Sequence, residues 1–336
     1  MDKTLTPEAR ILVTGPTSFL GYHVVQRLNQ RGLRPRVLVP DATEPAALRK
    51  LDVEIVRGSV EEPGSLRAAC DGVTTVFHLA FLVALGGRLE ARLEAVNVAG
   101  TRHLVEAAAE AGVSRMVLVS SALAVGINQK PQPLDETADW TAHRLNLPYA
   151  LSRRQAEQEA LARASASLAV VAVNPSFTLG PEDPVGAPAN RLLKTVAAGK
   201  LPFTFPIGFG CLDVRDFAEG MLLAAERGRS GQRYLLSGHN LTLDEFVKQA
   251  ADLAGVRPPR WRLPVWLARG LGTVLGAGAA LVGKRLPVNR SVLDILGRYA
   301  WYDASLARRE LGWEPRPLRQ TLEDTLSWLS RNEAAA

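Results

Sequence analysis

Gly15 and Gly21 frame the stretch of this chain whose residue types most directly imply chemistry. They lie in Val13-Thr-Gly-Pro-Thr-Ser-Phe-Leu-Gly21, between the apolar run Ile11-Leu12-Val13 and the amphipathic stretch Tyr22–Leu28. That order reads as strand, glycine-bearing turn, helix. Such a turn lets the backbone approach a pyrophosphate, whose charge then rests on free amides at a helix N-terminus. A generic strand–helix turn that needs glycine only for its backbone angles would look the same in isolation. Cys70 and Cys211, the only two cysteines, are too far apart in sequence to suggest a metal-ligand pair or a disulfide framework.

The elements around the turn favour the pyrophosphate reading. Apolar strand-like runs recur at Ile11–Thr14, Arg36–Val39, Val53–Val56, Thr75–Leu79, Arg115–Ser120 and Ala169–Asn174. Helical patterns separate them at Tyr22–Gln30, Ala46–Leu51, Gly64–Ala69, Leu89–Ala111 and Pro148–Ala164. Near-continuous apolar strands alternating with helices predict an α/β fold, a Rossmann-type doubly wound parallel sheet covered on both faces. Beyond residue 180 the pattern turns irregular and proline-rich, with a returning strand at Arg233–Ser237 and a mostly helical remainder. The expected division is a nucleotide-binding domain, 1–180 plus about 205–240, and a smaller C-terminal substrate lobe, about 181–204 and 241–330.

The 336 residues are 47% hydrophobic and 22% charged, an ordinary globular balance. Met1–Arg10 is polar and carries no apolar signal segment, so a cytoplasmic protein is expected. The net charge of +6 is uneven: residues from Arg257 onward hold 13 Lys/Arg against 7 Asp/Glu. Within 257–302 eight basic residues accompany one acid, Asp294, around the apolar run Leu271–Val282. That run is too short and glycine-rich to span a membrane. The region 257–298 reads as a helical lid with solvent-facing arginines, or alternatively as a peripheral membrane contact or a site for an acidic ligand. No nucleic-acid module accompanies the charge.

Seven short motifs, in order, resemble the extended short-chain dehydrogenase/reductase family of NAD-dependent epimerase/dehydratase type. They are Thr14-Gly-Pro-Thr-Ser-Phe-Leu-Gly21, Val76-Phe-His-Leu-Ala80, Asn97-Val-Ala-Gly-Thr101, Val119-Ser-Ser-Ala122, Tyr149-Ala-Leu-Ser-Arg153, Asn174-Pro175 through Gly180-Pro181, and Asp213-Val-Arg-Asp216. The branch with dihydroflavonol-reductase-like proteins and 3β-hydroxysteroid dehydrogenases is the most similar. The resemblance implies hydride exchange between NAD or NADP and a carbinol or ketone carbon. It assigns catalysis to Tyr149 as proton donor or acceptor, Arg153 as the cation four residues on, on the same helix face, and Ser121 as partner of the substrate oxygen, with Ser120 a neighbouring candidate. A nearby cation lowers a tyrosine pKa from its usual value of about 10. Cofactor contacts are implied at Gly15, Thr17, Ser18, Phe19, Leu20, Gly21, Asp41, Ser59, Val60, Leu79, Ala80, Asn97 and Pro175. No metal is implied. Relatives pair through helices corresponding to Leu89–Ala111 and Pro148–Ala164, so a homodimer is expected.

Four positions depart from the family pattern. Arg153 replaces lysine, and its planar fork does not copy a compact ammonium. Ser18 replaces the middle glycine of the turn, placing a Cβ and hydroxyl where the pyrophosphate lies. Pro40 stands where NADP-specific relatives carry arginine, with Asp41 after it, so the NAD/NADP preference is unreadable; Arg36, Arg49 and Lys50 are possible phosphate partners. Ser59 replaces a carboxylate near the adenine.

Of the remaining polar residues, His78 reads as packing rather than catalysis. Asp213 and Asp216 suit lobe closure or structural ion pairs equally. Asp135, Glu136 and Asp139 read as a solvated loop. Candidate pocket segments, Phe81–Arg88, Phe177–Leu192, Pro202–Cys211 and Pro264–Val288, are apolar and favour an apolar ketone or alcohol. Three functions follow: an oxidoreductase on such a substrate, a nucleotide-sugar epimerase or dehydratase that recycles its NAD, or a nucleotide-binding regulatory protein with weakened chemistry.

Overall fold

In the computed structural model, residues 5–270 and 290–334 are described, apart from 7, 44–45, 85–87 and 146. Seven parallel strands form the central sheet: β1 (Ile11–Thr14), β2 (Arg36–Val39), β3 (Glu54–Arg57), β4 (Thr75–His78), β5 (Arg115–Val119), β6 (Ala169–Pro175) and β10 (Arg233–Leu236). Their order is β3-β2-β1-β4-β5-β6-β10. Chain direction across the sheet reverses between β1 and β4, which opens a crevice at the carboxyl ends of those two strands.

Alternation along the strands divides the core. Ile11 and Val13 point to one face, with Val24, Leu28, Phe217 and Met221; Leu12 points to the other, with Leu66, Leu104, Met116 and Val170. Helices α1 (Phe19–Gln30) and α6 (Val214–Arg227) cover the first face. They are joined at the rim by Arg27 and Arg31 on Glu219 and by Arg31 on Glu226. Helices α2 (Pro63–Cys70), α3 (Gly100–Glu110) and α4 (Pro148–Ala162) cover the second. The outward sides of α3 and α4 are linked by the ion pairs Arg102–Glu159 and Arg163–Glu106.

The helix expected over Leu89–Ala111 is not uniform. A 3₁₀ turn (Arg88–Arg92) leads into a wide π turn (Glu94–Ala99) before regular α3 begins. π turns inside helices often coincide with functional positions, and this one carries Asn97.

The C-terminal residues build a second sheet on β9 (Gly208–Asp213), with β11 (His239–Thr242), β13 (Tyr299–Ala300) and β7 (Phe177–Leu179) as its neighbours. The span 205–240 is therefore shared: β9 joins this sheet, whereas α6 and β10 serve the main one. A two-strand ribbon pairs β8 (Phe203–Thr204) with β12 (Trp261–Arg262). Helices α5 (Pro188–Ala197), α7 (Leu243–Ala254) and Leu318–Ala334 pack around Leu193, Phe246, Val247 and Leu322. The expected apolar run Leu271–Val282 lies outside the described residues, among which no helix is long and apolar enough to cross a membrane.

Candidate active site

Gly15 adopts φ +67°, and a Cβ built on it would lie 2.4 Å from the carbonyl oxygen of Leu79. A Cβ on Gly21 would lie 2.0 Å from the carbonyl oxygen of Gly15. Both glycines are thus required by close packing of the turn on β4 and of α1 on the turn. Ser18 does not project a free hydroxyl outward. It caps α1, accepting from the Gly21 amide at 3.0 Å and donating to the Gly15 carbonyl at 2.8 Å. It therefore stabilises the helix start at the crevice. Phe19 is anchored against Ala187 and Val214, with Leu20 beside it. Thr17 is half-buried in the same turn.

A buried hydrogen-bond chain holds the two strand ends together. Thr14 Oγ1 accepts from the amides of Leu79 and Ala80 at 3.2 and 3.1 Å and lies 2.8 Å from His78 Nδ1. His78 Nε2 lies 2.9 Å from Thr101 Oγ1, whose own proton goes to the Asn97 carbonyl. The donors and acceptors balance only if Thr14 donates to Nδ1 and His78 carries its proton on Nε2. Burial, with Arg153 nearby, depresses the His78 pKa to about 3, in keeping with a neutral ring that staples β1 to α3.

At the far end of the crevice, Pro40 and Asp41 follow β2, with Asp41 exposed. Register pairs Val39 with Arg57, and the Arg57 Nη1 donates to the carbonyls of Pro40 and Thr43 at 3.2 and 2.9 Å. Arg57 was missed in the sequence because it comes from β3, seventeen residues beyond Pro40. Arg36, a sequence candidate, instead sits at the amino end of β2, held by Glu54 and by the carbonyls of Ala69 and Asp71. That is the opposite end of the strand from the crevice. Ser59 accepts from the Glu61 amide at 3.2 Å, and Val60 is buried against Gly100.

Tyr149 opens α4 and is 9% exposed, packed with Phe81, Leu82, Ala84 and Leu93. Ser121 lies beside it, its Oγ accepting from the Leu123 amide at 3.2 Å. Burial raises the Tyr149 pKa, while the Arg153 charge and the neighbouring Ser121 hydroxyl pull it down. The net direction is up, against the expectation from the cation alone; removing a phenolate from water outweighs the neighbouring charge here. Arg153 is 1% exposed, its Nη2 bonded to the Val119 carbonyl and its guanidinium 4.7 Å over the Phe81 ring. Its Nε and Nη1 are buried without partners among the described residues. Two charged donors left in this state demand an acceptor. Ser120 Oγ is likewise buried and unpartnered, while Pro175 closes β6 beside Leu236.

Asn97 is committed to the protein rather than open to a ligand. Its Oδ1 accepts from the Leu82 amide at 2.7 Å; its Nδ2 donates to the Leu82 carbonyl and to Ser152 Oγ, each at 3.0 Å. The π turn aims it to clamp the segment beside Tyr149. Behind the site, Glu157 is wholly buried and ion-paired to Arg233 at 2.8 Å. Asn174 Nδ2 donates to Glu157 at 2.6 Å and to the Ser121 carbonyl at 3.0 Å. These support residues escaped the sequence reading, although Tyr149, Arg153 and Glu157 form an i, i+4, i+8 stripe on one helix face.

The remaining candidates are structural. Asp213 caps α6 and pairs with Arg215, which also reaches Asp324; Arg316 pairs with Asp216. These contacts fix α6 to the C-terminal segment. The acidic loop is not wholly solvated, since Glu136 accepts from the Leu235 amide at 2.9 Å. Buried Cys70 is pushed up to about 11 and Cys211 is raised as well, which suits neither to nucleophilic work.

The helix start at the crevice and the unpartnered donors of Arg153 fit a dinucleotide, whose phosphates and ribose hydroxyls are acceptors. Fold and site define a Rossmann-type nicotinamide oxidoreductase. The profile of the NAD dependent epimerase/dehydratase family matches residues 11–237, and the chain belongs to that family. It is 31% identical over 324 residues to a putative dihydroflavonol 4-reductase of Synechocystis sp., covering 95% of this chain and 94% of that protein. It is 32% identical over 321 residues to sterol demethylase protein B of Methylococcus capsulatus, covering 94% and 97% respectively. Among solved structures, gox2253 matches with TM-score 0.86 and 32% identity over 97% of this chain and 99% of its own.

Proposed function

We propose that this protein reduces an apolar ketone to a secondary alcohol, with Tyr149 as the proton donor, and runs the same chemistry in reverse as an alcohol dehydrogenase. The observation that carries this reading is the buried Tyr149 ring beside Ser121, with buried Arg153 one helical turn on, on the same face of α4. NAD(P), when bound, supplies or takes the hydride. The Gly15–Gly21 turn and the start of α1 hold its phosphates, and Arg153 Nε and Nη1 take ribose oxygens. The Ser121 hydroxyl holds the substrate oxygen, and Tyr149 delivers its proton to that oxygen as the alcohol forms. Because burial raises the phenol's pKa further above the neutral range, the site is set for reduction. Phe81, Leu82, Ala84 and Leu93 around Tyr149 support an apolar substrate, as do relatives named for dihydroflavonol and sterol chemistry.

The test is net consumption of nucleotide. Purified protein given NADH or NADPH and a panel of apolar ketones is expected to oxidise one nucleotide for each alcohol formed. Tightly retained NAD with no net consumption would replace this reading with the epimerase/dehydratase cycle. Binding without turnover on any ketone would indicate a regulatory nucleotide-binding protein.

A further inference from the structure

Trp261 and Trp266 are 75% and 73% exposed, the two most exposed large apolar side chains among the described residues. Trp261 sits on the two-residue ribbon opposite Phe203, which is 36% exposed. Trp266 lies in the helical turn that follows Pro264. Between Arg257 and Gly270 the chain has four arginines, Arg257, Arg260, Arg262 and Arg269, and no acidic residue. Arg262 is paired with Asp244 at 3.0 Å, and Arg269 reaches the carbonyls of Leu293 and Leu296. Arg257 and Arg260 are exposed.

The segment carrying Trp266 connects to the start of α4 through a chain of packed residues. Val265, next to Trp266, packs on Gly297, and Ile295 nearby packs on Leu147 and Ala150 at the start of α4, on either side of Tyr149 in sequence.

We infer that the ridge of Trp261, Trp266 and Phe203 docks on the surface of an anionic lipid bilayer. Tryptophan suits the boundary between headgroups and acyl chains, having an apolar body and one N–H donor. Arginines beside it meet the negative surface potential. A two-fold pairing of two copies through the same ridge fits less well, because it would set these arginines against their own copies. The surface stands on exposure and charge alone; its usefulness, delivering an apolar substrate beside Tyr149, rests on the proposed function.

Co-sedimentation of the full chain with vesicles tests it, without nucleotide or substrate. Binding is expected to equimolar phosphatidylcholine–phosphatidylglycerol vesicles, to weaken with added salt, and to be much lower on phosphatidylcholine alone. Trp261→Ala and Trp266→Ala are each expected to lower partitioning about tenfold, and Arg257→Glu with Arg260→Glu to lower it further while leaving the melting temperature unchanged. Absence of binding, equal binding to neutral vesicles, or unchanged binding of the double tryptophan variant would overturn the inference. So would a concentration-dependent dimer that the tryptophan variants abolish. None of these results bears on ketone reduction, and failure of ketone reduction leaves vesicle binding untouched.

Discussion

Arg153 stands one helical turn beyond Tyr149, fixed through Nη2 to the Val119 carbonyl, with Nε and Nη1 unpartnered among the described residues. The first bond ties the cation to the strand end that leads into Ser121. The two idle donors call for an acceptor that the described residues do not supply. The position at which the family resemblance implies lysine is therefore occupied by a residue with its own built-in contacts.

Arg153→Lys follows directly from that geometry. A lysine has no planar fork to reach the Val119 carbonyl while keeping donors for a ligand, and it loses the stacking on Phe81. We expect kcat/KM to fall about tenfold or more, a loss of roughly 1.4 kcal/mol in transition-state stabilisation. A gain in turnover on the lysine exchange would show instead that Arg153 is drift from a working lysine site.

The direction of the Tyr149 shift sets the pH dependence. Raised by burial, the phenol holds its proton through the neutral range and above its ordinary value near 10. Ketone reduction should be level through neutral pH and decline only in alkali, whereas alcohol oxidation, which needs the phenolate, should climb as pH rises. Initial rates in both directions across pH 6 to 10 check this (roughly the span below the free phenol value). A reduction rate that falls between pH 6 and 8 would contradict it.

His78 carries a stability prediction. Its folded pKa of about 3 lies below the ordinary 6.5, so the unfolded chain binds the extra proton first. No penalty exists above pH 6.5; stability then falls as pH drops from 6.5 toward 3, by up to about 1.4 kcal/mol per pH unit. Urea midpoints at several pH values should show that slope, and His78→Gln should flatten it while lowering stability at neutral pH. An equal slope in the variant would place the acid sensitivity elsewhere.

What the sequence made legible follows period and proximity. Strands β1 to β6, the returning strand β10 and the turn at Gly15 are visible because each is a short apolar run, and the turn's glycines lie within a few residues of β1. The second sheet and the ribbon are hidden: β13 of the one and β8 and β12 of the other have two residues each, too few to show a period, and pair across long sequence distances. The π turn is hidden because its i→i+5 closures over Glu94–Ala99 leave the surrounding helical pattern intact. At the site, Tyr149 and Ser121 lie side by side, the two positions that the family resemblance singles out. Arg57 on Pro40, Glu157 under Asn174 and Asn97 on Leu82 are tertiary pairings with no local signature.

Tyr149→Phe tests the central claim most directly. The substitution removes one hydroxyl from a buried ring and leaves the Gly15 turn, the start of α1 and Arg153 in place. Ketone reduction should fall by roughly 10²- to 10⁴-fold, the usual worth of a positioned proton donor, while affinity for the preferred nucleotide stays within a few-fold (about 1 kcal/mol or less) of wild type. Turnover of the variant within a few-fold of wild type would show that the proton comes from another group and would contradict the account.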